Sequence, residues 1–254
     1  MLGLIYSLVS YAGFLGVFTY FAFFSTAVLV PRHVDSGHAV GWAPALAVDL
    51  ALLLVFGLQH SIMAREGFKR AWTRWIPPQL ERATFVLAST LALALLIWQW
   101  QPLPARVWNV ESLPAVVLLW SVNALGWLGG TFSTFLIDHF DLFGIKQAFH
   151  AFRRTSYQSR GFVTPILYKY MRHPLMSGLL VGFWVTPQMS VGHLVLSLGM
   201  TAYILVGVQF EERSLVRALG ADYVRYQAST PKFLPLPRWK RGTKAGAPVS
   251  SRAI

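Results

Sequence analysis

The chain has 254 residues, of which 55% are hydrophobic and only 13% are charged, whereas a soluble domain carries roughly a quarter charged residues. Its net charge of +12 would favour nucleic acid as a partner in a soluble protein, but beside long apolar segments it is better explained as the flanks of membrane helices. The absence of cysteine from the sequence excludes disulfides and thiolate metal sites.

Six apolar segments follow one another along the chain, and a spanning helix needs about 20 apolar residues. The first, second and fourth have that length, the third is close to it, and the fifth is short. No basic residue precedes the first segment, which therefore predicts a membrane helix rather than a signal peptide. Only three residues separate the last two, which predict a tight helical hairpin. The segments are Leu4–Val30, Trp42–Met63, Ala83–Trp100, Leu113–Ile137, Pro174–Pro187 and Val191–Phe210.

Positive charge alternates from one loop to the next. The loops 64–82 and 138–173 and the chain after Phe210 are rich in Lys and Arg, whereas the other loops are nearly free of charge. The positive-inside rule then places both termini in the cytoplasm. Six crossings satisfy this pattern, and five do so if the last hairpin is re-entrant. The sequence therefore predicts an all-α integral membrane bundle of five to six transmembrane helices, with a C-terminal helical hairpin and a cytoplasmic amphipathic tail segment.

Gly126 and Gly130 form a small-xxx-small pair in the fourth segment, which lets two helices approach closely. Packing within the chain is favoured here over a dimer interface. We expect residues 1–240 to form a single membrane domain. The last residues, 241–254, are rich in Gly, Ala, Ser and basic residues, and we expect them to be a disordered tail.

Three features after residue 167 could carry chemistry. Arg172 and His173 precede Pro174, which is favoured at the first turn of a helix. A helix N-terminus beside an arginine suits an anion, although a basic membrane flank that merely starts a helix gives the same pattern. Glu211 and Glu212 directly follow the sixth segment and would return beside Arg172, where they could contact a ligand or form a plain ion pair.

The third feature is the segment after these carboxylates. It predicts an amphipathic interfacial helix that ends at Gly220, then a further turn with Tyr223 and Tyr226, and then an extended proline-rich exit.

As an ordered set, these motifs resemble the C-terminal half of the isoprenylcysteine carboxyl methyltransferase superfamily, over about residues 168–237. The N-terminal half resembles the nurim-like branch, and within it the bacterial inner-membrane S-methyltransferases that convert methanethiol to dimethyl sulfide. The motifs are Arg172-His173-Pro174 with Gly178, Glu211-Glu212-Arg213 with Leu215, Gly220 with Tyr223 and Tyr226, and, for the branch, Gln59–Arg65 and Asp138–Gly144.

The resemblance implies an enzyme that binds S-adenosyl-L-methionine on the cytoplasmic side, in the half of the domain at about 138–240. Its substrate would be a small volatile thiol that arrives through membrane lipid, with no obligate protein partner and no nucleic acid. Met176 stands where the carboxyl methyltransferases often have tyrosine, which leaves the role of that position open. The implied cofactor-binding residues are Tyr168, Arg172, His173, Pro174, Gly178, Glu211, Glu212, Tyr223 and Tyr226.

A small thiol is mostly protonated at neutral pH, so a base should help to form the thiolate. The candidates are His60 at the end of the second segment, and Asp138, His139 and Asp141 after the fourth. Each could instead be a structural hydrogen-bonding or helix-capping group. Their spacing does not support a metal site. The alternatives are a methyltransferase for another lipophilic thiol or an isoprenylcysteine-type carboxylate, and a non-catalytic nurim-like membrane protein.

Overall fold

A computed structural model describes residues 1–38, 40–158 and 161–235. Helices make up 72% of the chain, which confirms the predicted all-α fold class. The expected disordered tail, 241–254, lies outside the described residues. The helices are α1 Leu2–Thr26, α2 Trp42–Met63, α3 Glu66–Trp72, α4 Glu81–Gln99, α5 Leu113–Ile137, α6 His139–Leu142, α7 Ile145–Arg153, α8 Pro174–Trp184, α9 Val191–Leu219 and α10 Ala221–Ser229, and the strands are β1 Arg106–Asn109 and β2 Gln188–Ser190.

Five helices of the described chain are long and apolar enough to cross a membrane: α1, α2, α4 with the turn before it, α5 and α9. The protein is therefore an integral membrane protein. Helix α8 has 11 residues and rises about 16 Å, which is too short for a hydrocarbon core of about 30 Å.

Strand pairing shows how far the last hairpin reaches. After α8 the chain continues in extended form to β2, which pairs antiparallel with β1. Strand β1 lies in the connection between α4 and α5, at the opposite end of the bundle from the basic loop that precedes α4. The hairpin therefore extends from the basic end to the opposite end, which favours six crossings over a re-entrant hairpin.

The glycines of α5 bring it against α8, and packing within the chain is confirmed. A Cβ built on Gly130 would lie 3.1 Å from the carbonyl oxygen of Leu175, and one built on Gly126 would lie 2.9 Å from that of Gly178. Asn123 of α5 also donates to the carbonyl oxygen of Gly182 at 2.8 Å. The two helices are thus joined by close backbone contact and by a buried hydrogen bond.

Helix α9 is longer than the sequence predicts. It runs without a break for 29 residues, through Glu211 and Glu212 to Leu219. The segment predicted to be an amphipathic helix before Gly220 is helical and continues α9, because no proline interrupts it, and the predicted end at Gly220 is confirmed. Gly220 ends α9 with a positive φ of 59°, and α10 follows at once.

The core and the end opposite the basic loops are held by different interactions. Phe21 and Phe24 of α1 pack with Trp100 and Phe183 in a buried aromatic cluster. Beyond it, the Arg32 guanidinium donates from Nε to the carbonyl oxygen of Ile97 at 2.9 Å.

Further hydrogen bonds join the segments at that end. The Asp49 carboxylate accepts from the backbone N–H of Gln101 at 2.9 Å. The backbone N–H of Gly192 donates to Leu103 at 2.9 Å. The end of the bundle that carries β1 and β2 is therefore closed by hydrogen bonds between segments distant in sequence.

Candidate functional site

A cavity of about 780 Å³ opens at the basic end of the bundle. Its walls come from the end of α2, from α3, from the start of α4 and from α9, with single residues of α6 and α8. The residues that line it are His60, Ser61, Ala64, Arg65, Glu66, Gly67, Lys69, Arg70, Glu81, Arg82, Phe85, Leu142, Met176, Tyr203, Ile204, Gly207, Val208, Phe210, Glu211, Ser214 and Arg217.

The polarity of the cavity wall changes along α9. Tyr203, Gly207, Glu211, Ser214 and Arg217 line it at helical spacing, so they share one face of the helix. From the first of these to the last, the helix rises about 21 Å. One end of this wall is aromatic and apolar, a carboxylate lies between, and the other end is basic. The cavity therefore suits an elongated ligand with one apolar and one charged end.

His60 lies at the aromatic end, surrounded by rings. Its imidazole centroid is 4.7 Å from that of Phe85, 5.7 Å from that of Tyr203 and 5.8 Å from that of Phe56. The Nδ1 atom of His60 is buried and has no hydrogen-bond partner among the described residues. A polar atom of this kind costs free energy unless a ligand or water satisfies it, so His60 is available to a molecule bound in the cavity.

The other three acid–base candidates lie away from the cavity walls. His139 is buried between α1 and the end of α5, with Nε2 2.7 Å from the Tyr11 hydroxyl and Nδ1 2.6 Å from the Thr134 hydroxyl. Its ring stacks on Phe135 at a centroid distance of 3.8 Å. Burial lowers the pKa of the His139 imidazole, which therefore acts as a neutral hydrogen-bonding group in the fold.

Asp138 and Asp141 also have partners within the chain. Asp138 caps α6 by accepting from the backbone N–H of Asp141, and it forms an ion pair with Lys146. Asp141 accepts from Gln147 at 3.0 Å and from the Tyr157 hydroxyl. Both carboxylates thus fix the connection between α5 and α7.

Glu212 is the centre of a buried ion-pair cluster. Its Oε1 atom accepts from Arg172 Nε at 2.7 Å and lies 3.0 Å from His173 Nε2. Its Oε2 atom lies 3.3 Å from Lys232 Nζ and accepts from Gln227 at 3.2 Å. The Arg172 and Glu212 side chains are only 7% and 8% exposed. The structure therefore brings these predicted residues together, as an ion-pair cluster whose carboxylate has partners on both oxygens.

The segment that follows α10 covers the start of α8. The backbone N–H groups of Arg172 and His173 donate to the carbonyl oxygens of Pro231 and Lys232 at 3.0 and 3.1 Å. The Ser177 hydroxyl donates to the carbonyl oxygen of Phe233 at 2.6 Å. The carbonyl groups of the chain itself thus fill part of the place where the sequence suggested an anion.

Glu211 faces the other way, into the cavity. Its side chain is 51% exposed, and its Oε2 atom lies 3.7 Å from His173 Nδ1. Of the two adjacent carboxylates, Glu211 can reach a bound ligand, whereas Glu212 holds the surrounding structure together.

The remaining predicted cofactor residues pack around the cluster. The Tyr226 hydroxyl donates to the carbonyl oxygen of Tyr168 at 2.5 Å, and Tyr223 is buried with its ring 5.8 Å from that of Tyr226. Pro174 begins α8, and Gly178 packs against α5. None of these five residues is among those that line the cavity within the described chain.

Sequence reasoning gave no role to Phe85 and Tyr203, two aromatic residues that line the cavity, or to the basic residue Arg65. The spacing of Tyr203, Gly207 and Glu211 along one helix face was a usable signal, because it leads from the apolar segment to the carboxylate of α9 that faces the cavity. Met176, the position whose role the sequence left open, also lines the cavity.

Comparison with known proteins gives relatives that cover nearly the whole chain. Over 236 residues the chain is 48% identical to methanethiol S-methyltransferase of Mycobacterium tuberculosis, covering 93% of this chain and 97% of that protein. Over 242 residues it is 46% identical to methanethiol S-methyltransferase of Pseudomonas deceptionensis, covering 95% and 92%. Human nurim is more distant, at 31% identity over 186 residues, 67% of this chain and 68% of nurim. No family model matches the chain, and no solved structure matches it either.

Proposed function

The chain belongs to the methanethiol S-methyltransferase family, and we propose that it transfers a methyl group from S-adenosyl-L-methionine to methanethiol, forming dimethyl sulfide. The observation that carries the proposal is the cavity at the basic end. It joins a charged opening to an aromatic wall that contains His60, whose Nδ1 atom has no hydrogen-bond partner among the described residues. The reaction would take place at this end, which the distribution of Lys and Arg assigns to the cytoplasm.

The cavity fits the methyl donor in size and in chemistry. Small-molecule sites have volumes of roughly 300–1,000 Å³, and this cavity has about 780 Å³. When bound, S-adenosyl-L-methionine supplies an electrophilic methyl group on a positively charged sulfur. Phe85 and Tyr203 present aromatic rings, which attract a cation, and Glu211 presents a carboxylate that can accept hydrogen bonds from ribose hydroxyls or an ammonium group.

His60 is the group that we assign to the thiol. Of the four acid–base candidates, it is the one that lines the cavity. It would accept the thiol proton, leaving a thiolate whose sulfur forms a bond to the methyl carbon as the bond from that carbon to the sulfonium sulfur breaks. Thiolate and sulfonium neutralise each other in this step, so a water-poor, aromatic environment favours it.

The protein would hold the two reactants in line, which can contribute much of the catalytic effect. Methanethiol is small and apolar and can approach through lipid, whereas the nucleoside is polar and can approach from the charged end. The apolar and charged ends of the cavity match these two routes.

The decisive experiment is headspace gas analysis of membranes that contain the protein, supplied with methanethiol with and without S-adenosyl-L-methionine. We expect dimethyl sulfide only when both are present. If the purified protein binds the donor but forms no dimethyl sulfide, the acceptor is another lipophilic thiol or an isoprenylcysteine-type carboxylate. If it does not bind the donor, the protein is a non-catalytic nurim-like membrane protein and the proposal is wrong.

A further inference from the structure

One cation in the wall of the cavity is held in place without a carboxylate. The guanidinium carbon of Arg65 lies 3.7 Å from the centroid of the Phe210 ring. This distance places the guanidinium against the aromatic ring, an arrangement that favours a cation. Arg65 is half-buried between α2 and α3 and lines the cavity.

Two neighbouring cations of the cavity wall are paired with carboxylates, whereas Arg82 and Arg217, like Arg65, form no ion pair within the described residues. Lys69 lies 3.9 Å from Glu81, and Arg70 lies 3.9 Å from Glu66. Arg65 forms no ion pair with a carboxylate of the described chain. Glu211, which follows Phe210 in the sequence, lies beside His173 instead. The hydrogen-bond donors of Arg65 are therefore available to a ligand.

Arg65 also lies at a suitable distance from the proposed reaction centre. It follows His60 by five residues, and helical rise over that distance is about 7.5 Å. If the reactive sulfur of a ligand lies near His60, a group joined to that sulfur by a short aliphatic chain would lie near Arg65. On the neighbouring helix, Arg82 lines the same cavity and makes the potential there more positive.

We propose that Arg65, positioned by Phe210, binds the carboxylate of the methionine part of the methyl donor. The inference rests on the proposed function, since it concerns the same cavity and the same donor. A guanidinium can form two parallel hydrogen bonds with a carboxylate. Because the ring already restricts the side chain, less rotational freedom is lost when the ligand binds.

The test compares two ligands that differ only in this carboxylate. Binding of S-adenosyl-L-methionine and of decarboxylated S-adenosylmethionine is measured by calorimetry, with the full-length chain purified in detergent. The original protein should bind the carboxylate-bearing ligand more tightly. In Arg65→Gln the affinity for that ligand should fall about 10- to 100-fold, as expected for a lost charged hydrogen bond, while the affinity for the decarboxylated ligand should be unchanged.

Arg74→Gln is the matched control, because Arg74 is an exposed arginine that follows α3 and is not among the residues lining the cavity. It should leave both affinities within about twofold, since its side chain lies outside the proposed binding site. Arg65→Lys keeps the charge but lacks the paired donors, and it should retain part of the preference. Thermal unfolding of each variant, followed by tryptophan fluorescence, shows whether the chain is folded.

The outcomes separate this inference from the function on which it rests. If the original protein binds neither ligand, the proposed function fails. If it binds both and Arg65→Gln weakens them equally, Arg65 supports the cavity without contacting the carboxylate, and the inference is overturned. The same conclusion follows if the folded variant keeps the full preference for the carboxylate-bearing ligand.

Discussion

Gly130 of α5 and Gly178 of α8 lie in direct backbone contact: a Cβ built on Gly178 would stand 2.6 Å from the Gly130 Cα atom. Side-chain carbons do not approach other atoms so closely, and the neighbouring atoms here belong to the backbone. The contact fixes α8, and with it His173 at the start of the helix and Met176 on the cavity wall, against the spanning helix α5.

The variant Gly178→Ala should therefore destabilise the protein. Overpacking of a close contact costs about 1–3 kcal/mol, and in this case neither helix can move without breaking the hydrogen bonds of Asn123. The midpoint of thermal unfolding in detergent measures the effect. Gly129→Ala is the control, because a Cβ on Gly129 has no atom within 4 Å, and it should leave the midpoint unchanged or raise it slightly. Equal midpoints for both variants would contradict the packing.

Glu211 and Glu212 should respond differently to the same substitution. Glu212→Gln leaves the buried Arg172 without its carboxylate, and breaking a buried pair costs about 3–5 kcal/mol. Glu211→Gln should leave the unfolding midpoint nearly unchanged and weaken donor binding, because Glu211 faces the cavity. Calorimetry and thermal unfolding distinguish the two. A Glu212→Gln protein of unchanged stability would show that the cluster is not structural.

His60→Gln should reduce the formation of dimethyl sulfide by about 100- to 10,000-fold, the usual contribution of general acid–base catalysis. The remaining rate should rise steeply with pH, because hydroxide then forms the thiolate without the imidazole. The assay is the headspace rate per amount of folded protein, with His150→Gln as the control, since His150 does not line the cavity. A His60→Gln enzyme with the original rate at neutral pH would exclude His60 as the base.

His139 should contribute to stability and not to turnover. His139→Leu leaves the Tyr11 hydroxyl without this partner, at a cost of about 1–3 kcal/mol, while the rate per folded protein should be retained. A rate loss that matched that of His60→Gln would contradict a purely structural role.

The effect of His139 should also depend on pH. Burial lowers the pKa of this imidazole from the ordinary value of 6.5, so just below that value the unfolded chain binds more protons than the folded one. The contribution of His139 to stability is therefore lost as the pH falls below about 6.5. The difference in unfolding midpoint between the original protein and His139→Leu should be larger above pH 7 than at about pH 5.5.

The fold could be predicted largely from the sequence, because apolar length and loop charge carry the signal for membrane helices. The residue at which α8 ends could not be predicted from the sequence. The apolar run continues to Pro187, although the helix stops at Trp184. Nor did the sequence reveal the pairing of β1 with β2, because Trp108 and Met189 are 81 positions apart and no local pattern links them.

The candidate site was predicted in part. Glu211 and His60 were named from their motifs, and both line the cavity. The roles of Arg172 and Glu212 could not be separated from that of Glu211, because a linear motif does not tell which of two adjacent carboxylates faces a cavity. Arg65 was named as a loop charge and as the last residue of the Gln59–Arg65 motif but was given no role, since its contact with Phe210 joins residues distant in sequence.

The two ends of the bundle differ in the interactions that join their segments. At the end with β1 and β2, backbone pairing, the Arg32 guanidinium and the Asp49 carboxylate tie the connecting segments together. At the other end Arg65 lies on Phe210 and the Glu212 cluster joins the start of α8 to α9, but the cavity leaves a gap between α3 and this part of α9. We therefore expect a nucleoside that enters or leaves the cavity to displace α3 relative to α9, while the strand pair at the opposite end keeps its place.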